Sequence, residues 1–149
     1  MTNPFSANDT ADDPVCNCPP KTENIILIGS EQYYDSFWWK MMFMSPGISA
    51  AQGSQRPPGW TNADRTTVLY VPTGYVRSEL LALEQLRDVG INIVSLGSLR
   101  DLFTCVNTRT IDGDEYLIKN LVIFAHGLHD MLDLDFWGGR QFRLTIDRV

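Results

Sequence analysis

Residues 120–135, NLVIFAHGLHDMLDLD, set an apolar run directly beside the densest group of titratable side chains in the chain. Both histidines, His126 and His129, fall here, with Asp130, Asp133 and Asp135 close behind. An imidazole ordinarily titrates near neutral pH, which suits it to take and return a proton during catalysis. Imidazole and carboxylate together can also hold a divalent cation. Gly127, directly after His126, would let the backbone turn sharply or let a substrate approach the main chain closely. The thiols are fewer. Cys16 and Cys18 lie in an acidic N-terminal stretch with no second Cys/His pair at zinc-site spacing. Cys105 falls in a short helical pattern and reads as a buried structural thiol. An odd, sparse set of three cysteines is not a disulfide framework and points to a reducing, cytoplasmic setting.

The elements that would position His126 follow from hydrophobic periodicity. Residues 121–125 form a short continuous apolar run, the pattern of a strand covered on both faces in a mainly parallel sheet. His126 then stands at the carboxyl end of that strand, where open α/β sheets bind ligands. Before it, residues 25–28, 67–71 and 91–96 read as three more strands. A helix is expected over residues 31–44, ended by Pro46-Gly47, with Tyr34, Phe37, Trp38, Met41 and Met42 at helical spacing. Trp39, Phe43 and Met44 widen its stripe almost all round, so it is expected to pack into the core, or else to cover a partner through residues 33–44. A second helix shows Val76, Leu80, Leu83 and Leu86 on one face and Gly90 as its cap. Ser98 and Asp101 open a third, short one, with Leu99, Leu102, Phe103 and Val106 inward. Asp112-Gly113 marks a turn. Alternating strands and helices argue for an α/β layered sandwich around a mainly parallel sheet with right-handed crossovers, a Rossmann-like order. After His126-Gly127, residues 132–144 read as a small hairpin around Trp137-Gly-Gly-Arg140, and Thr145 as the N-cap of a new helix. Residues 1–22 read as a disordered acidic leader and 23–149 as one α/β domain.

Bulk composition removes other classes. The net charge of −6 and the absence of a Lys/Arg cluster argue against nucleic acid and anionic membranes as partners. No basic-then-apolar N-terminal segment suggests secretion, and no run reaches the roughly 18 apolar residues of a membrane span.

In this order of elements the chain resembles the N-terminal part of the caspase-like fold of clan CD cysteine peptidases, the group holding caspases, gingipains, separases and CHAT domains. The resemblance spans roughly residues 24–149. It is carried by the apolar strand ending in His126-Gly127, the following hairpin, the helix opening at Thr145, and the βαβ units before the strand. It implies a peptide or protein substrate, His126 as general base and acid, and the Gly127 N–H as an oxyanion donor, with neither metal nor organic cofactor. No cysteine follows His126, so the resemblance puts the nucleophile beyond Val149, in a chain truncated at its C-terminus, and expects these 149 residues to be inactive alone.

Other readings stay open. An apolar strand followed by His-Gly is also similar to the oxyanion region of α/β-hydrolases, whose Gly-x-Ser-x-Gly elbow does not occur here. His126, His129, Asp130, Asp133 and Asp135 could be metal ligands, although Asp133 and Asp135 on one strand read as its solvent side. A non-catalytic α/β binding module is the plainest alternative, with His126 a hydrogen-bonded structural residue. His129 and Asp130 read as solvated loop residues or as the edge of a substrate pocket.

Overall fold

The structure is a computed structural model, and it describes residues 19–108, 110–136 and 142–145. Four parallel strands, β1 (Lys21–Ile28), β3 (Arg65–Tyr70), β4 (Asn92–Ser95) and β6 (Asp114–Phe124), form the sheet, with β5 (Thr110–Ile111) antiparallel to the start of β6. The order across the sheet is β4-β3-β1-β6-β5. Between these strands run α1 (Phe37–Gln52), α2 (Arg77–Glu84) continued by a 3-10 turn over Gln85–Val89, and α3 (Leu99–Asn107). The fold is therefore α/β with a mainly parallel sheet, as the alternation of patterns predicts. No helix among the described residues is long and apolar enough to cross a membrane.

Successive residues of a strand point to opposite faces, and β1 divides its side chains accordingly. Ile26 and Ile28 join Val68, Tyr70 and Ile93 in one apolar cluster with Met44 and Ala50 of α1 and Leu83 of α2. Ile25 and Leu27 join Leu69 and Leu96 in a second cluster, covered by Leu102 of α3 together with Leu134 and Phe142. Helices between the first three parallel strands thus lie on one side. The helix leading back to β6 lies on the other. This reversal makes β1 and β6 neighbours at a topological switch point, where α/β sheets open a crevice at their carboxyl ends.

Several local expectations are corrected by tertiary contacts. β1 begins at Lys21, inside the stretch read as leader, because Lys21 pairs with Asp114 and Thr22 hydrogen-bonds Asp64. Residues 1–18 lie outside the described residues. α1 starts six residues later than predicted and runs straight through Pro46-Gly47 to Gly53, whose left-handed backbone (φ 86) caps it. Gly47 is what lets the helix sit on the sheet, since a Cβ there would lie 2.4 Å from Ile28 Cδ1. The aromatic first turn of α1 is not core. Its buried positions are Phe43, Met44, Gly47, Ala50 and Ala51, whereas Phe37, Trp38, Trp39 and Met42 are exposed. Phe103 of α3 is exposed too, and Cys105 is half-buried.

β6 is longer than predicted and less covered. Its outer edge pairs with β5 only at Asp114 and Glu115, so among the described residues positions 116–124 keep one open edge, and Leu121 is exposed. The turn at Asp112-Gly113 forms as expected, both residues taking left-handed backbone. Ser98 caps α3 by accepting from the Asp101 N–H at 3.2 Å, and Gly90 (φ 81) ends the 3-10 turn.

Candidate functional site at the carboxyl end of the sheet

At the end of β1 the chain passes Gly29 into β2 (Ser30–Glu31), which leaves β6 and pairs in parallel with β9 (Asp135–Phe136). Only glycine fits this branch point, because a Cβ on Gly29 would meet Leu134 O at 2.8 Å. The buried Tyr75 hydroxyl fixes it further by donating to Gly29 O at 2.8 Å. Meanwhile β6 bends at Ala125 and continues as β7 (His126–Leu128), antiparallel to β8 (Met131–Asp133), which in turn pairs with β10 (Arg143–Thr145). His126-Gly127 therefore opens a strand and is not a loop. Gly127 pairs with Leu132 and has no positive φ, so the sharp turn expected there does not exist. A Cβ on Gly127 would meet nothing within 4 Å, which leaves its main chain approachable.

The diverging extensions of β1 and β6 bring Glu31 and His126 together. Glu31 Oε2 lies 2.6 Å from His126 Nε2, with the two side chains 0 % and 24 % exposed. A carboxylate only accepts, so Nε2 is the ring nitrogen that donates in this contact. The imidazole is held on both sides, edge-on to Phe43 of α1 (centroids 4.9 Å apart, 88°) and tilted on Phe136 of β9 (4.1 Å, 37°). The other oxygen of Glu31 accepts the N–H groups of Tyr33 (2.6 Å) and Tyr34 (3.3 Å). This internal carboxylate is thus fully engaged, as a buried charge must be.

Behind the imidazole, Asp133 faces His126 across the β7–β8 ladder. Arg143 donates to Asp133 Oδ2 from Nε and Nη2, both at 3.0 Å. Asp135 is buried beside them, and its carboxyl is pushed above the usual range first by burial and then by the neighbouring Asp133 charge; a hydrogen bond from the Phe142 N–H partly offsets this. The expectation that Asp133 and Asp135 face solvent is corrected. They belong to two different strands, β8 and β9, which turn inward around the fully buried Leu134.

His129 and Asp130 form the exposed β7–β8 turn, with side chains 84 % and 42 % exposed, and Asp130 takes left-handed backbone (φ 59). His129 Nδ1 lies 2.8 Å from Asp130 Oδ2, within this exposed turn. No three His, Cys, Asp or Glu side chains converge as a metal-holding group among the described residues. Cys105 lines a cavity of about 320 Å³ with Glu23, Arg65 and Asn92, all at the amino ends of strands, opposite to His126. It is not placed to serve as a nucleophile for this histidine. The turn around Trp137-Gly-Gly-Arg140 and the helix expected after Thr145 fall outside the described residues, and Thr145 itself ends β10.

Sequence reasoning missed Glu31, reading it as the start of the first helix. A signal was present: Gly29-Ser30-Glu31 places a carboxylate just past the carboxyl end of the first strand, the position His126 holds on the fourth. Comparison of the chain with protein-family models, with curated proteins and with solved structures gives no match.

Proposed function

We propose that this chain carries the histidine half of a hydrolytic site of the cysteine-peptidase type, within a caspase-like layered sandwich, acting on peptide bonds. The Glu31–His126 pair is the observation that carries the reading. A buried carboxylate on one ring nitrogen fixes the tautomer and orientation of the imidazole and leaves the other nitrogen to act as a base, the logic of catalytic triads. His126 takes the proton of an attacking thiol and returns it to the leaving amine, while Glu31 steadies the imidazolium between the two steps. The Gly127 main chain, open to approach, is the proposed oxyanion donor.

The reading needs a thiol facing Nδ1. The open edge of β6 at positions 116–124 is suited to receive one more parallel strand, whose carboxyl end would then stand beside His126. A cysteine on such a strand, following Val149 in the full-length protein, is the nucleophile proposed. The test is proteolysis by the full-length protein before and after His126→Ala, with thiol-directed and serine-directed trapping reagents in parallel. Loss of cleavage in the variant and capture by the thiol reagent is the expected result. Cleavage that survives His126→Ala would overturn the assignment, and capture only by the serine reagent would move it to a serine hydrolase.

A further inference from the structure

The sheet face under α3 changes character along its strands. Ile25, Leu69 and Val94 extend the aliphatic floor of the second cluster. Side chains two positions apart share a face, and the residues two positions earlier on these strands are Glu23, Thr67 and Asn92. With Arg65 they form one connected polar row. Asn92 Nδ2 donates to Thr67 Oγ1 at 3.3 Å, and Thr67 Oγ1 donates to Glu23 Oε1 at 2.5 Å. Arg65 Nε lies 3.3 Å from the same carboxylate oxygen.

Glu23 is only 2 % exposed, yet a buried ion pair stabilises a core no better than aliphatic side chains of the same volume. The space beside this row is not filled by side chains. A cavity of about 320 Å³ separates the floor from Thr104, Cys105 and Thr108 at the end of α3. Protein interiors leave few voids larger than a water molecule, so this one is not ordinary packing. Its size and its lining, aliphatic with a few converging polar groups, are those of a small-molecule site. Thr104 and Thr108 are exposed, so the cavity reaches solvent beside the end of α3.

The lining also selects the occupant. Ile25, Leu69, Val94 and Ile111 suit an aliphatic body. At the polar end the two charges already hold each other, so an anion brought to Arg65 meets Glu23, and a cation brought to Glu23 meets Arg65. A charged head would lose its water without gaining a counter-charge of its own. The remaining polar groups, Thr67, Asn92, Thr104 and Thr108, are neutral and can both donate and accept. They match an uncharged head that does the same.

We propose that this cavity binds a small, uncharged aliphatic molecule with one hydrogen-bonding head, such as a medium-chain alcohol or primary amide. Its chain lies against Ile25, Leu69 and Val94, and its head against Asn92 and the Thr67 hydroxyl. The site stands at the opposite end of the sheet from His126 and does not rest on the peptidase reading. The test titrates the 149-residue chain with 1-octanol by calorimetry, and follows alkylation of Cys105 by iodoacetamide through peptide mapping. One saturable site is expected, and its occupancy should slow alkylation of Cys105 with the same dissociation constant. Octanoate and octylammonium should bind roughly ten-fold more weakly or worse, for want of a counter-charge. 1-Hexanol should also bind roughly ten-fold more weakly, having two fewer methylenes to bury. Val94→Phe puts a ring into the cavity and should abolish binding, with circular dichroism checking that the variant is folded.

No saturable heat with 1-octanol would overturn the proposal and leave a water-filled void. So would binding that leaves the alkylation rate of Cys105 unchanged, since the occupant would then sit elsewhere. Equal or tighter binding of octanoate or octylammonium would refute the neutral head. A constant indifferent to chain length would refute the aliphatic wall. An unchanged constant in folded Val94→Phe would remove the cavity as the site; should that variant not fold, protection of Cys105 in the natural chain decides.

Discussion

A double-mutant cycle on Glu31 and His126 tests whether the pair is one physical unit. The side chains meet at 2.6 Å with Glu31 wholly buried and His126 mostly so. A hydrogen bond to a charged group contributes about 1.5–3 kcal/mol when water cannot replace it. Glu31→Ala also removes the acceptor of the Tyr33 and Tyr34 N–H groups, but these lie at an exposed turn where water can take over. The expected loss for Glu31→Ala is therefore about 3 kcal/mol, most of it from the imidazole contact. For a chain of this length each kcal/mol lowers Tm by roughly 2–4 °C, so the midpoint should fall by about 6–12 °C. His126→Ala should cost a similar amount, and the double variant much less than the sum. Urea unfolding of the four proteins gives the coupling energy, expected at about 1.5 kcal/mol or more. A coupling under about 0.5 kcal/mol, the scatter of independent sites, would refute the claim that Glu31 holds His126.

Two further outcomes follow from the same geometry. Because burial and Asp133 raise the Asp135 carboxyl above its unfolded value, the folded state binds more protons between the two values, and stability falls as pH rises through that window. Asp135→Asn stays neutral, so its stability relative to the natural chain should climb from acid pH toward neutrality; a difference that is flat or opposite in slope would contradict the assignment. Gly47→Ala should cost about 1–3 kcal/mol by forcing a methyl into Ile28. In an Ile28→Ala background the same change should cost much less, as measured by thermal unfolding, and an equal cost in both backgrounds would show that Gly47 matters for another reason.

The site has a simple mechanical logic. Gly29 and Ala125 mark the points where β1 and β6, hydrogen-bonded as far as Ile28 and Phe124, part company. The chain fills the space with one carboxylate from one side and one imidazole from the other. Phe43 and Phe136 then close around the ring, so the base is held by packing as well as by charge. Arg143 answers Asp133 on the far side of the ladder, and Asp135 avoids a second buried charge by keeping its proton to higher pH. Two acids near the histidine thus stand differently: Asp133 is paired with Arg143, while burial and the Asp133 charge raise the Asp135 carboxyl.

Periodicity alone determined the alternation of strands and helices, the cap at Ser98, the Asp112-Gly113 turn and the place of His126 at the end of the fourth parallel strand. These are local: they depend on side-chain spacing and backbone preferences that a single segment carries with it. What the tertiary structure decided was which segments lie side by side. No spacing rule pairs Glu31 with a histidine 95 positions away, because their meeting depends on the order β4-β3-β1-β6 and on two strands diverging at Gly29 and Ala125. The aromatic half of α1 looked like core because its residues are apolar all round. Its first turn is exposed all the same, because α1 turns buried side chains to the sheet only from Phe43 and Met44 onward, through Gly47 to Ala51. Pro46-Gly47 looked like a stop for the same reason in reverse. A local breaker costs a few kcal/mol, and the close seat of the helix on Ile28 outweighs it. Burial of Asp133 and Asp135 likewise came from strands changing partners around Leu134, a switch that alternation within one stretch does not reveal.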